Sequence, residues 1–93
     1  MMSTEIKLAW ALADAASTCF TDADHISVYT ALGAGETCTA ILRSLAIAVR
    51  ARHSLPTNLI TELAIWLDGY AGHTCEPQIR NLLNTYRTRR NPP

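Results

Sequence analysis

The side chains with the widest chemical reach in this sequence are three cysteines, Cys19, Cys38 and Cys75, and three histidines, His25, His53 and His73. Four such ligands would hold a zinc ion if pairs were spaced to aim at one point, as in C-x-x-C and H-x-x-x-H. Here the one close pair is His73-x-Cys75, and the others lie in different segments. No metal site and no cofactor is expected. The odd cysteine count and the absence of C-x-x-C also argue against a disulfide framework, and point to a reducing, cytoplasmic setting. Cys19 and Cys38 fall on apolar helical arcs, where cysteine behaves as a small hydrophobe. Cys75 lies at a helix start, where the dipole favours a thiolate, but the neighbouring Glu76 opposes that shift.

Nucleophilic catalysis needs an oriented base beside a serine, threonine or cysteine, and neither a nucleophile elbow nor a phosphate-cradling glycine loop is present. Gly33-Ala34-Gly35 precedes a helix, yet Glu36 would repel an anion there, so the segment reads as a turn. His25 reads as a hydrogen-bonded, partly buried histidine rather than a general base. The chain is therefore expected not to be an enzyme. One nucleic-acid reading exists: Ala31, Gly33 to Gly35 and Ile41 follow the small residue, turn glycine and later aliphatic of a helix-turn-helix. Its reading helix would offer Arg43 and Arg50 to DNA, but Glu36 takes a place that motif makes apolar, and nucleic acid is disfavoured as a partner.

The elements that must position these groups follow from chain length and punctuation. Ninety-three residues with 48% hydrophobic and 17% charged content suit one folded domain spanning residues 1–93. Apolar residues recur with helical spacing in five segments, and no segment alternates as a strand does. Ser3 or Thr4 can cap a first helix to about Cys19 that buries Leu8, Leu12, Ala16 and Cys19. Thr21 to Asp24 can cap a second, with Ile26, Val28, Tyr29 and Leu32 apolar. The third, about Glu36 to His53, has apolar residues on two sides: Cys38, Ile41, Leu42, Leu45 and Val49 on one, and Ala40, Ile47 and Ala51 on the other. Such a helix is either central or lends a face to another chain. Pro56 ends it and Thr57 or Asn58 caps a fourth, about Asn58 to Ala71, with Leu59, Ile60, Leu63, Trp66, Leu67 and Tyr70 inward and Gly72 after its last turn. Glu76-Pro77 opens a fifth that presents Ile79, Leu82, Leu83 and Tyr86. Residues 88–93 are expected to be a frayed basic tail. The fold expected is all-α, a compact orthogonal or bundle-like domain of about five short helices.

The uncharged run His53 to Thr61 is broken by Pro56 and falls far below a membrane span. Leu8 to Ala13 is too short for the apolar part of a signal peptide. Seven arginines against one lysine, with fourteen alanines, is the bias of GC-rich coding in a bacterium or phage. Formal net charge is zero, but residues 1–42 carry Lys7 against five carboxylates, while residues 43–93 carry seven arginines against three. Opposite charge on the two halves can steer a partner or a second copy. Ile6 with Trp10, Ala40 with Ile47 and Ala51, and Ile65 exceed what five short helices need for a core, and are the candidate protein interface. The sequence thus points to a small non-enzymatic regulator or adaptor that binds a partner protein, as a homodimer.

Overall fold

The computed structural model describes residues 4–69 and 75–90. In chain order the helices are α1 (Thr4–Ala16), α2 (Asp22–Gly33), α3 (Thr37–Ala51), α4 (Thr57–Asp68) and α5 (Glu76–Arg90), with a 3-10 turn at Ser17–Cys19. No strand occurs among the described residues, and the domain is all-α.

The third helix is the central one. It packs against α1, α2 and α5 and buries eight positions, among them Ala40, Ile41, Leu45, Ile47 and Ala48. Its most extensive neighbour is α1, which buries Leu8, Ala9, Leu12, Ala13 and Ala16. Small residues on both helices, Ala9, Ala13 and Ala16 on one and Ala40, Ser44 and Ala48 on the other, have no exposed surface and let the backbones approach closely. Ser44 carries a buried hydroxyl with no hydrogen-bond partner among the described residues.

Helix ends follow the local chemistry. At α2, Thr21 Oγ1 accepts the Asp24 N–H at 3.1 Å while Asp24 Oδ2 accepts the Thr21 N–H at 3.0 Å, a reciprocal capping box. Gly35 takes φ +79°, the left-handed geometry expected of the turn between α2 and α3. At the end of α3 the left-handed position falls on Arg52, with φ 54°, and the N–H groups of Arg52 and His53 bond the carbonyls of Val49 and Ala48. His53 then donates from Nε2 to the Ala15 carbonyl at 3.0 Å, which ties this turn to the end of α1.

Pro56 itself takes the N-cap place of α4, and its carbonyl accepts from Leu59 and Ile60, in place of the expected Thr57 or Asn58 cap. The fourth helix stops at Asp68 before Gly69, short of Ala71, and Tyr70, Gly72 and His73 lie outside the described residues. The α3–α4 connection is held by α5: Tyr86 Oη, buried, accepts the Leu55 N–H at 2.9 Å. Instead of fraying after Arg87, α5 runs on to Arg90, with Arg89 Nη1 donating to the Val49 carbonyl at 2.9 Å. A guanidinium placed over the last carbonyls of α3 also complements that helix dipole.

Two further expectations are corrected. Cys38 and Cys75 form a disulfide, with Cα atoms 6.9 Å apart and a sequence separation of 37, because the packing of α5 on α3 brings two helix starts together. With that pair formed, the odd count reflects a single free thiol, Cys19, and no longer argues for a reducing compartment. Second, Ile26 is 69% exposed rather than part of the α2 core. It lies two residues from Val28, which is about 200° around a helix, so the two cannot both face inward.

Candidate functional site

The six residues proposed from sequence as an interface separate cleanly. Ala40 (0% exposed) and Ile47 (8%) face the core of the α3 packing and offer no outer surface. That corrects the part of the interface placed on Ala40 and Ile47, which the other helices cover. Ala51 is exposed at the end of α3, and Ile65 is 67% exposed on α4, at a distance in the chain from any other exposed large apolar group. Ile6 is half-buried, and Trp10, one turn along the same flank of α1, is 40% exposed.

Trp10 does not stand alone. Its ring lies 6.0 Å from that of Tyr29 on α2, and Tyr29 is stacked on His25 one turn earlier, 13° from parallel. Phe20, in the connection between the 3-10 turn and α2, makes T-shaped contacts with both His25 and Tyr29, at centroid separations of 5.3 and 6.4 Å. Four rings from three segments thus form one cluster at the α1–α2 corner. Edge-to-face and offset contacts of this kind stabilise beyond their buried area and hold the rings in fixed orientations.

Polar groups lock the cluster. Tyr29 Oη donates to Asp14 Oδ1 on α1 at 2.9 Å. Burial raises the Tyr29 pKa, and the hydrogen bond to Asp14 and the charge of Asp14 raise it further, so the phenol remains a donor through neutral pH. The backbone N–H of Thr21 holds the Asp24 carboxylate below its usual pKa, so this acid stays ionised beside the cluster. Ile26 extends the apolar part: it lies about 60° around α2 from Tyr29 and is largely exposed. The described residues of α1 and α2 carry Lys7 alone against Glu5, Asp14, Asp22 and Asp24. An ordered aromatic and aliphatic surface in acidic surroundings is the result. Sequence patterning detected Trp10 but missed His25, Phe20, Tyr29 and Ile26 as one surface, because their meeting depends on how α1 and α2 cross.

The residues of the nucleic-acid reading are placed differently. Arg43 and Arg50 share the outer strip of α3, but Arg43 Nη1 donates to Ser27 Oγ at 3.0 Å and to the Ser27 carbonyl at 3.3 Å. Arg50 lies within the electrostatic reach of Asp24 and contributes to lowering its pKa. Among the described residues no three of His, Cys, Asp and Glu come together, and no helix is long and apolar enough to cross a membrane. His73 lies outside the described residues.

The free thiol Cys19 donates to the Ala16 carbonyl at 3.1 Å, and burial pushes its pKa up, the opposite of an activated nucleophile. No family model matches the chain, and no curated protein or solved structure shows significant similarity to it.

Proposed function

We propose that this chain is a small non-enzymatic regulatory or adaptor protein of the cytoplasm that works as a homodimer assembled through the α1–α2 corner and, in that form, binds a partner protein. The observation that carries this reading is the pairing of 40% exposed Trp10 and 69% exposed Ile26 with a ring cluster already fixed by the Asp14 bond to Tyr29. Aromatic side chains held in place before binding lose little entropy on contact, which is why they concentrate binding energy.

Charge supplies the orientation. The carboxylates around the corner favour a basic counterpart, and the arginines of the second half, including exposed Arg52 and Arg87, provide one on a second copy. A two-fold arrangement satisfies both acidic-to-basic contacts at once. Direct apposition of the two acidic corners would instead be repulsive.

Affinity capture with three forms of the chain tests the partner reading: wild type, the double variant Trp10→Ala with Ile26→Asp, and Ile65→Asp as control. A specific protein retained by wild type and the control, and lost with the double variant, is the expected result. Sequence-specific duplex binding with steep salt dependence, abolished in Arg43→Ala or Arg50→Ala, would replace this reading with the helix-turn-helix one.

A further inference from the structure

We infer that the α1–α2 corner is an arginine receptor, and that it takes the Arg52 guanidinium of a second copy of this chain, stacked on the Trp10 ring and donating to the Asp14 carboxylate. The inference rests on the corner dimer proposed above and names the group that fills the corner.

The receiving half is built on one flank of α1. Trp10 and Asp14 are four residues apart, so their side chains are neighbours on the helix surface. The Trp10 ring is 40% exposed and lies 6.0 Å from the Tyr29 ring. Asp14 is exposed and receives the Tyr29 hydroxyl on Oδ1 at 2.9 Å, which holds the carboxylate at the cluster. A carboxylate has about four acceptor positions, so that one bond leaves capacity for a guanidinium. An aromatic face with a carboxylate one turn away suits both properties of arginine: its plane stacks on a ring, and its N–H groups fork onto a carboxylate. Lysine has neither the plane nor the fork, so Lys7, three residues before Trp10, is a poor occupant of this place.

The giving half is Arg52. Arg43 is bonded to Ser27 and Arg50 lies in the field of Asp24, so both are engaged within their own chain. Arg80 is held by Glu76 and Asp68, and Arg89 by the Val49 carbonyl. Arg87 is exposed but belongs to α5, which packs on α3 and α4 rather than beside the corner. Arg52 is exposed and pairs with no carboxylate among the described residues. Its backbone is fixed at the left-handed end of α3, with its own N–H bonded to Val49 and that of His53 to Ala48.

The places of giver and receiver set the symmetry. His53, next to Arg52, bonds the Ala15 carbonyl at 3.0 Å and lies 3.3 Å from Thr18 Oγ1, and Ala15 is next to Asp14. Arg52 and the corner therefore adjoin at the end of α1, although they form no ion pair within one chain. Adjoining complementary patches can be satisfied by one two-fold axis between them, each chain giving its Arg52 and receiving the other's. Patches at opposite ends of the molecule would instead string copies into an open chain.

The test is sedimentation equilibrium of the full chain at low ionic strength, with circular dichroism to verify that each variant is folded. Arg52→Glu and Asp14→Lys each place like charges at both contacts, and each is expected to raise the dimer Kd about a hundredfold, roughly tenfold per contact. An equimolar mixture of the two variants is expected to recover a dimer within about tenfold of wild type, because every contact then joins opposite charges. Arg52→Lys keeps the charge, leaves Asp14 and Tyr29 untouched, and is expected to weaken the dimer about tenfold through loss of the stacked fork. A wild-type dimer that Arg52→Glu leaves unchanged, or folded variants that do not recover a dimer when mixed, would overturn the inference. Arg52→Lys as tight as wild type would overturn the stacked geometry, and a wild-type monomer would overturn the second copy as occupant. The corner reading fails separately, by a dimer that persists in Trp10→Ala with Ile26→Asp. Loss of the dimer in that double variant but not in Arg52→Glu would keep the corner and reject Arg52.

Discussion

Removing the bridge has a magnitude that follows from chain topology. Cys38 and Cys75 are 37 residues apart, so the crosslink denies the unfolded chain the freedom of a loop of that length. The chain-entropy relation puts the corresponding stabilisation at about 4 kcal/mol at 25 °C. A domain of this size has a total stability of roughly 5–14 kcal/mol, so the bridge accounts for a large share without being the whole. The double variant Cys38→Ser with Cys75→Ser is therefore expected to fold, but with a urea midpoint well below wild type and a Tm lower by about 15–30 °C. Urea titration followed by tryptophan fluorescence and by circular dichroism measures the loss. The denaturant slope is expected to rise, because the unfolded chain without its crosslink exposes more surface. A change of less than about 1 kcal/mol would refute the reasoning, since it would mean that the unfolded chain is already as compact as the crosslink makes it.

Three further outcomes follow from single contacts. Tyr86→Phe leaves the buried Leu55 N–H without its acceptor and is expected to cost about 1–3 kcal/mol in urea unfolding, whereas no loss would mean that water replaces the hydroxyl. Arg52→Gly relieves a left-handed residue at the end of α3 and is expected to raise stability by roughly 0.5–1 kcal/mol after the extra freedom of glycine in the unfolded chain is subtracted; destabilisation would contradict that geometry. The Asp24 carboxyl, held below its usual pKa by the Thr21 N–H, contributes stability that is fully present above its unfolded pKa of about 3.9 and is lost as pH falls through the lower folded value. An NMR titration in which Asp24 protonates at or above the ordinary aspartate range would show that the capping box does not hold.

The helices were legible because their boundaries are written in local chemistry. The Thr21 cap, the Gly33 to Gly35 turn, Pro56 and the Glu76-Pro77 start act within a few residues of where they sit. The central place of α3 was also readable from its two apolar sides, although a helix that lends a face to another chain has the same pattern. Burial of Ala40 and Ile47 decides for the central role. What escaped the sequence depends on how helices cross. Cys38 and Cys75 meet because α5 packs on α3, and Trp10 reaches Tyr29 because α1 packs beside α2. The extension of α5 to Arg90 was hidden for a related reason: a basic run reads as a solvated tail until Arg89 is seen to bond the Val49 carbonyl. Of the candidate site, therefore, Ile6 and Trp10 were visible in advance, while Phe20, His25, Ile26 and Tyr29 became a surface only in three dimensions.

Sedimentation equilibrium at micromolar concentration is the most direct test of the claim that the α1–α2 corner is a protein-contact surface. A species of twice the 10.2 kDa chain mass is expected at low ionic strength. Added salt should weaken it, because the acidic-to-basic contacts are exposed and screened. Trp10→Ala with Ile26→Asp should dissociate it, and Ile65→Asp should leave it intact. A 10.2 kDa monomer under all conditions, or a dimer that the double variant leaves undisturbed while folded, would contradict the account.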